Sequence, residues 1–416
     1  MRISRTVLLL IPVALLVAAV LLWFRPWGPY PPAAMSNLFD HEQSVENFRN
    51  MDRIFPYREI RATATPRPLP RAEGSLPETF EHDGETISTA EFIERTRTTG
   101  LLVLHEGRIQ VEQYRLGAGP HSQLTSWSVA KTFVAALTGI ALDQGHIRSL
   151  DDPVREYVEE FAETAWAEVR LRDLLRMASG IAFDERYDAR FSDIQRLFYQ
   201  VFLLDLPVDE VVRDLARAGE PGEAFSYISP NTQVLARVLR EATGESLTDY
   251  LERELWHPLG MEHDAFWNLG RDGTELAFCC LNVTLRDYAR FGQLYLQQGS
   301  WNERRILPEN WVHKSTRRPE PWLEPGRADP ERGYGYHLWI PGNAEAEYLA
   351  NGIWGQGIWV SENHDVVIAR AAADPNFKAH IGETISFMRA LSTHASEQCP
   401  EEDSRSCAWK PPGQAP

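Results

Sequence analysis

Ser128 stands three residues ahead of Lys131 in Ser128-Val129-Ala130-Lys131. Residues i and i+3 share one face of a helix, so a lysine amine at that spacing reaches a serine hydroxyl. A nucleophilic serine needs such a base within hydrogen-bonding distance. Only Lys131, Lys314, Lys378 and Lys410 occur among 42 basic residues, and Lys131 alone has a serine three positions before it. Apolar Val129, Phe133, Leu137 and Ile140 recur at helical spacing, and Gly145 supplies a stop. The pair thus sits on a first turn, whose unpaired amides and positive dipole end favour a neutral amine and a developing oxyanion.

Two further segments carry chemistry. In Phe225-Ser226-Tyr227-Ile228-Ser229-Pro230-Asn231, Ser229 and Pro230 read as N-cap and first residue of a helix over 232–242. Tyr227 is then held in the loop ahead of it, where a phenol with its pKa lowered by an ammonium neighbour could relay a proton. In Asn351-Gly352-Ile353-Trp354-Gly355-Gln356-Gly357-Ile358-Trp359-Val360, three glycines open a strand, which implies close backbone approach. One amide there could complete an oxyanion hole with the Ser128 N–H. Each segment also has a plain reading: a solvated helix end, a packed tyrosine, a hairpin bend. No serine lies in a G-x-S-x-G elbow, no H-E-x-x-H occurs, and His257 and His263 lack cysteine partners at zinc spacing, so neither metal nor cofactor is expected.

The elements around these residues come from 416 residues, 43% hydrophobic and 24% charged, enough for two or three packed units or one large domain with an insertion. A net charge of -17 without any basic cluster argues against nucleic acid as a partner. Val7 to Phe24 is uncharged, preceded by Arg2 and Arg5 and closed by Trp23, Phe24 and Trp27. That pattern predicts a membrane anchor, or a signal peptide, over 1–28, with the rest of the chain extracytoplasmic, on the periplasmic side in a Gram-negative cell. Eight prolines between residues 26 and 70 predict a spacer over 29–75. A catalytic domain over 76–395 and a tail over 396–416 follow, the tail carrying Cys399 and Cys407 as a candidate bridge.

Within 76–395 the patterns predict a helix over 88–96, a hairpin of 101–104 with 109–114, and helices over 170–177, 208–218, 232–242, 247–255 and 285–297. Strands return at 334–340, 357–360 and 366–369, ahead of a helix over 379–392. Strands at both ends around a helical middle predict an α+β fold, an antiparallel sheet flanked by helices with a mostly helical insertion.

The order Ser-x-x-Lys, Tyr, Gly-rich strand resembles the serine β-lactamase and penicillin-binding superfamily, in its class C-like branch of esterases, amidases and 6-aminohexanoate-dimer hydrolases. Leu174-Leu175-Arg176-Met177-Ala178-Ser179-Gly180-Ile181, Leu255 to Met261, and Phe278-Cys279-Cys280-Leu281 leading to Leu285-Arg286-Asp287-Tyr288-Ala289-Arg290-Phe291-Gly292 extend the likeness over residues 85 to 393. The resemblance implies an acyl-enzyme on Ser128, Lys131 as base, Tyr227 as relay, and Gly357 N–H beside Ser128 N–H at the oxyanion. Tyr187 resembles the tyrosine that closes over substrate in the amide-cleaving relatives, and Asn231, Trp354, Gly355 and Gln356 stand at or near substrate-binding motif positions. Two departures matter: the family's Y-x-N has Ser229 in third place, and its K-T-G is replaced by Trp354-Gly355-Gln356. Losing the lysine that holds a substrate carboxylate favours a small ester or neutral amide over a penicillin or cell-wall peptide. A D,D-carboxypeptidase or β-lactamase, and a silent cell-wall or partner binder, stand as the alternatives.

Overall fold

Leu101 and Val103 point to one face of the strand Thr98–His105 and Leu102 and Leu104 to the other; all four are buried, so both faces of their sheet must be covered. A computed structural model, describing residues 5–24, 30, 32–343 and 346–398, supplies the covers. Seven antiparallel strands run in the order Arg332–Tyr334, Trp339–Pro341, Glu347–Gly352, Gln356–Ser361, Val366–Ala372, Thr98–His105, Arg108–Tyr114. On one face Leu101, Val103, Trp359 and Ile368 pack against Phe387, Met388 and Leu391 of the helix Ile381–Glu397. On the other lie the catalytic helix Ala130–Asp143 and, between it and Leu102, Leu104, Ile358 and Val367, the helix Leu285–Leu296, on whose Phe291 the Phe133 ring stacks. The latter lies so close that a Cβ on Gly292 would stand 2.5 Å from Val367 and 2.7 Å from Ile358.

A second, four-stranded sheet joins Tyr57–Ile60, Ala265–Asn268, Leu281–Val283 and Leu124–Thr125. Between 125 and 265 lie mostly helices, among them Leu171–Leu175, Asp193–Phe202, Val208–Arg213, Pro230–Thr243 and Leu247–Leu251. The fold is α+β with a helical insertion.

Two expectations change. The strand over 334–340 is a hairpin, turned at His337, whose φ of +52° reverses the chain and whose N–H donates to Leu175 O. The spacer over 29–75 is packed against the domain. Met51 and Ile60 are fully buried, Thr125 N donates to Phe48 O, and Ile109 N donates to Pro70 O. Prolines fix φ without preventing burial, and Phe48, Met51, Ile54, Phe55 and Ile60 supply the apolar surface that binds the segment down.

The first helix, Arg5–Phe24, covers the apolar N-terminal stretch; its described side chains, 11–21, are exposed. Among the described residues no helix is long and apolar enough to cross a membrane. Residues 1–4 and 25–28 of the expected anchor over 1–28, and the expected Cys399–Cys407 bridge, lie outside the described residues.

Candidate active site

The strand Leu124–Thr125 delivers the chain to the serine. Ser126 N donates to Leu281 O, and Leu281 N donates to Ser126 Oγ, which locks this strand end to its neighbour. Trp127 then takes φ +43°, a left-handed conformation that a bulky residue adopts only when its surroundings enforce it. The reversal sets Ser128 in a 3₁₀ turn, Trp127–Val129, that runs into the catalytic helix.

Lys131 Nζ, 1% exposed, donates to Ser128 Oγ and to Phe278 O, each at 2.8 Å. Burial lowers its pKa from 10.5 to about 8, against the opposing charge of Glu185. A large share of the amine is therefore neutral near pH 8, with its lone pair available to the hydroxyl. Tyr227 hydrogen-bonds Ser128, and its ring centroid lies 5.2 Å from Lys131 Nζ, stacked on Trp339 and edge-on to Tyr334. Desolvation raises its pKa and outweighs the Ser128 hydrogen bond that pulls the other way. Tyr227 is thus a neutral phenol that can give a proton and take one back in turn, and not the lowered-pKa relay expected.

Glu185 was not anticipated. Its Oε2 accepts from Ser229 N at 2.9 Å, while Oε1 accepts from Ser229 Oγ at 2.5 Å and Tyr187 OH at 2.6 Å. Burial raises its pKa, opposed by the charge of Lys131 and by these hydrogen bonds. It ties the Tyr187 loop to the start of the helix Pro230–Thr243, which explains why Ser229 caps nothing with its own side chain. Two sequence signals pointed here: an acid two residues before Tyr187, and a serine in place of the motif asparagine.

Several expected residues lie elsewhere. Gly357 pairs with Asn351 on one side and Arg370 on the other, inside a central strand whose amides serve the ladder, and a Cβ on it would meet Leu349 and Ala350 rather than Ser128. The backbone that approaches Ser128 is five residues earlier: a Cβ on Gly352 would stand 2.6 Å from Ser126 O and 3.1 Å from Ser128 N. Ile353 follows and lines the same pocket as Ser128. Ser128 and Ile353 thus stand together at the pocket wall, whereas Gly357 lies inside the sheet. Asn231 is fully buried beneath the site, its Nδ2 on Met177 Sδ. Gln356 spends its amide on Ala372 N and O, and Gly355, at φ +88°, packs against Ala372 and Arg370. Trp354 turns away to stack on Phe39 at 5.7 Å, in a cluster with Phe48 and Trp127. These residues brace the strand end without lining the pocket.

The narrow pocket beside Ser128, about 10 Å³, is lined by Trp127, Tyr187, Ile194, Phe198, Ser229, Phe278, Cys279 and Ile353. None of these is cationic. A larger groove, about 340 Å³, lies between the helices Asp193–Phe202 and Val208–Arg213, and its lining holds no hydroxyl or thiol nucleophile.

A family model described as Beta-lactamase matches residues 77–382. The 6-aminohexanoate-dimer hydrolase of Paenarthrobacter ureafaciens is 29% identical over 294 residues, 68% of this chain and 74% of that one. Penicillin-binding protein 4 of Amycolatopsis lactamdurans is 28% identical over 43% of this chain and 52% of its own length. A Bacillus anthracis structure, described as a candidate 6-aminohexanoate-dimer hydrolase, superposes with a TM-score of 0.79 at 22% identity, covering 87% of this chain and 96% of that one.

Proposed function

The chain belongs to the beta-lactamase family and is a serine hydrolase, and from that premise we propose that it cleaves small esters or neutral amides through an acyl-enzyme on Ser128. One observation carries the reading: a buried lysine amine, its pKa lowered to about 8, held 2.8 Å from a serine hydroxyl. In acylation Lys131 Nζ takes the Ser128 proton as Oγ attacks the carbonyl carbon. The oxyanion is met by the Ser128 and Ile353 amides. Tyr227 gives its proton to the leaving oxygen or nitrogen and is restored from the Lys131 ammonium. Water then enters, Lys131 takes its proton through Tyr227, and the same proton returns to Ser128 Oγ as the second tetrahedral intermediate collapses to the acid.

The neutral, largely apolar lining supports an uncharged acyl group. A D,D-peptidase or β-lactamase substrate brings a carboxylate, which has no cation to meet among those lining residues. The N-terminal stretch Val7–Phe24 behind Arg2 and Arg5 supports a catalytic domain held outside the cytoplasm.

The test is intact mass after exposure to a fluorophosphonate, with Ser128→Ala in parallel. One adduct on the native chain, absent from the variant, is expected, together with turnover of p-nitrophenyl acetate. An adduct retained by Ser128→Ala would overturn the assignment.

A further inference from the structure

The carbonyl that accepts from Lys131 belongs to Phe278, and the next two residues, Cys279 and Cys280, are joined to each other by a disulfide. Resting on the reading of Lys131 as the base, we propose that this vicinal bridge is a positioning group for the catalytic amine: it fixes the turn that aims Phe278 O at Lys131, so a thiol that opens it disarms the enzyme.

Cys280 has φ +69°, a left-handed conformation that crowds a β-carbon and is usually left to glycine. Closing two adjacent side chains into one ring restricts the torsions of the peptide unit between them and holds that conformation. The turn sends three consecutive carbonyls to three sets of donors. Phe278 O meets Lys131 Nζ, Cys279 O meets Trp267 Nε1 at 2.8 Å, and Cys280 O meets Asn268 N and Asn282 Nδ2, both at 2.9 Å. Of these only the first reaches the chemistry. With one N–H of the amine occupied by Phe278 O, its lone pair is directed at Ser128 Oγ; a free Cys280 that leaves the left-handed region swings the neighbouring peptide planes and releases that constraint. Glu185, Tyr227 and His337 are the titratable groups around Lys131.

Cys279, 4% exposed, is among the residues lining the pocket and is the half of the bridge a thiol would meet first, Cys280 being 1% exposed. A thiolate attacks one sulfur, forming a mixed disulfide and freeing the other cysteine as a thiolate that takes up a proton. A second thiol then displaces the first, leaving two cysteine thiols and the reductant as its own disulfide, a two-electron exchange.

The experiment uses the full chain and glutathione as the reductant. Peptide mass mapping of the segment 272–286 follows the gain of two hydrogens, while kcat and KM for p-nitrophenyl acetate are measured from pH 5 to 10. Reduction is expected to lower kcat about tenfold with little change in KM. It also moves the acid limb of kcat/KM to lower pH, because a carbonyl accepting from the amine stabilises its charged form. The variant Cys279→Ala/Cys280→Gly, in which glycine accepts the left-handed turn without a ring, carries the same change in the pocket wall as Cys279→Ala/Cys280→Ala, turns over at least about threefold faster than it, and does not respond to glutathione. Cys279→Ala/Cys280→Ala behaves as the reduced enzyme. Cys399 and Cys407 are common to every sample, so glutathione effects through them would appear in the glycine variant too.

Reduced enzyme, with the dithiol confirmed, that retains the oxidised kcat and pH profile overturns the proposal. If the bridge resists glutathione, an Ala/Ala variant as active as the native chain overturns it equally. If Ala/Ala does not fold, the comparison of reduced native enzyme with the glycine variant decides. Fluorophosphonate labelling of Ser128 separates the two levels: failure to label sinks the catalytic reading, whereas labelling with no response to reduction sinks only the role of the bridge.

Discussion

Replacing Lys131 by methionine is expected to stabilise the fold while abolishing hydrolysis. In the unfolded chain the amine has its ordinary pKa of 10.5, and burial in the folded protein brings it to about 8. Each unit is worth 1.36 kcal/mol, so below pH 8 the folded state carries about 3 kcal/mol of cost for keeping that charge buried. Methionine of similar length removes the cost but leaves Phe278 O without its donor and Ser128 without a partner, which returns about 1 to 2 kcal/mol. A net gain of about 1 to 2 kcal/mol at pH 7 remains. The pH dependence is sharper than the net value. Between about pH 8 and 10.5 the unfolded chain binds a proton that the folded protein does not, so native stability rises with pH across that window, by about 3 kcal/mol in all. The variant has no such group. Urea unfolding midpoints of both proteins at pH 7, 8, 9 and 10 give the comparison, and other titrating groups cancel between them. A native-minus-variant difference that stays constant over the series would refute the view that Lys131 is a desolvated amine poised as a base.

Glu185→Gln removes the nearby negative charge that raises the Lys131 pKa, so the acid limb of kcat/KM moves to lower pH; a limb that stays in place would show that the carboxylate is not felt by the amine. Tyr227→Phe keeps the ring contacts with Trp339 and Tyr334 but removes the proton donor, and kcat for an amide falls roughly 10²-fold or more with an unchanged melting temperature. Phe198→Ala deepens the apolar pocket, and the kcat/KM ratio of octanoyl to acetyl p-nitrophenyl esters rises at least about tenfold, a change of roughly 1.4 kcal/mol. A fragment starting at residue 77 loses the strand Tyr57–Ile60 and bares the edge of Ala265–Asn268, so size-exclusion chromatography shows aggregates where a 30–416 fragment elutes as a discrete species.

Local patterns carried most of the architecture. Val129, Phe133, Leu137 and Ile140 mark a helix because their spacing matches its period, and the turn at Glu106-Gly107 between apolar runs marks the first hairpin. The serine–lysine contact was readable for the same reason, since it depends on neighbours three residues apart. What escaped depends on contacts distant in sequence. Glu185 reaches Ser229 across 44 residues, and Phe278 accepts from Lys131 across 147. The backbone that approaches the nucleophile lies within one decapeptide, and the sequence shows three glycines there but not which of them meets Ser126 and Ser128. Prolines suggested a free spacer, whereas burial of Phe48, Met51 and Ile60 decides where that segment lies. The asymmetry has one cause: periodicity reports which face of an element is buried and is silent about what it is buried against.

The packing of Phe39 on Trp127 sets a leash. Phe24 ends the first helix, and fifteen residues later the Phe39 ring lies 5.3 Å from that of Trp127, the residue before the nucleophile. A fully drawn-out chain advances at most about 3.4 Å per residue, so this tether reaches about 50 Å and no further. Any surface that held the first helix would therefore confine Ser128 to a shell on the order of 60 Å deep around that point. Had the segment up to residue 75 been free, the shell would have been several times deeper, and the same serine would patrol a far larger volume at a correspondingly lower local concentration.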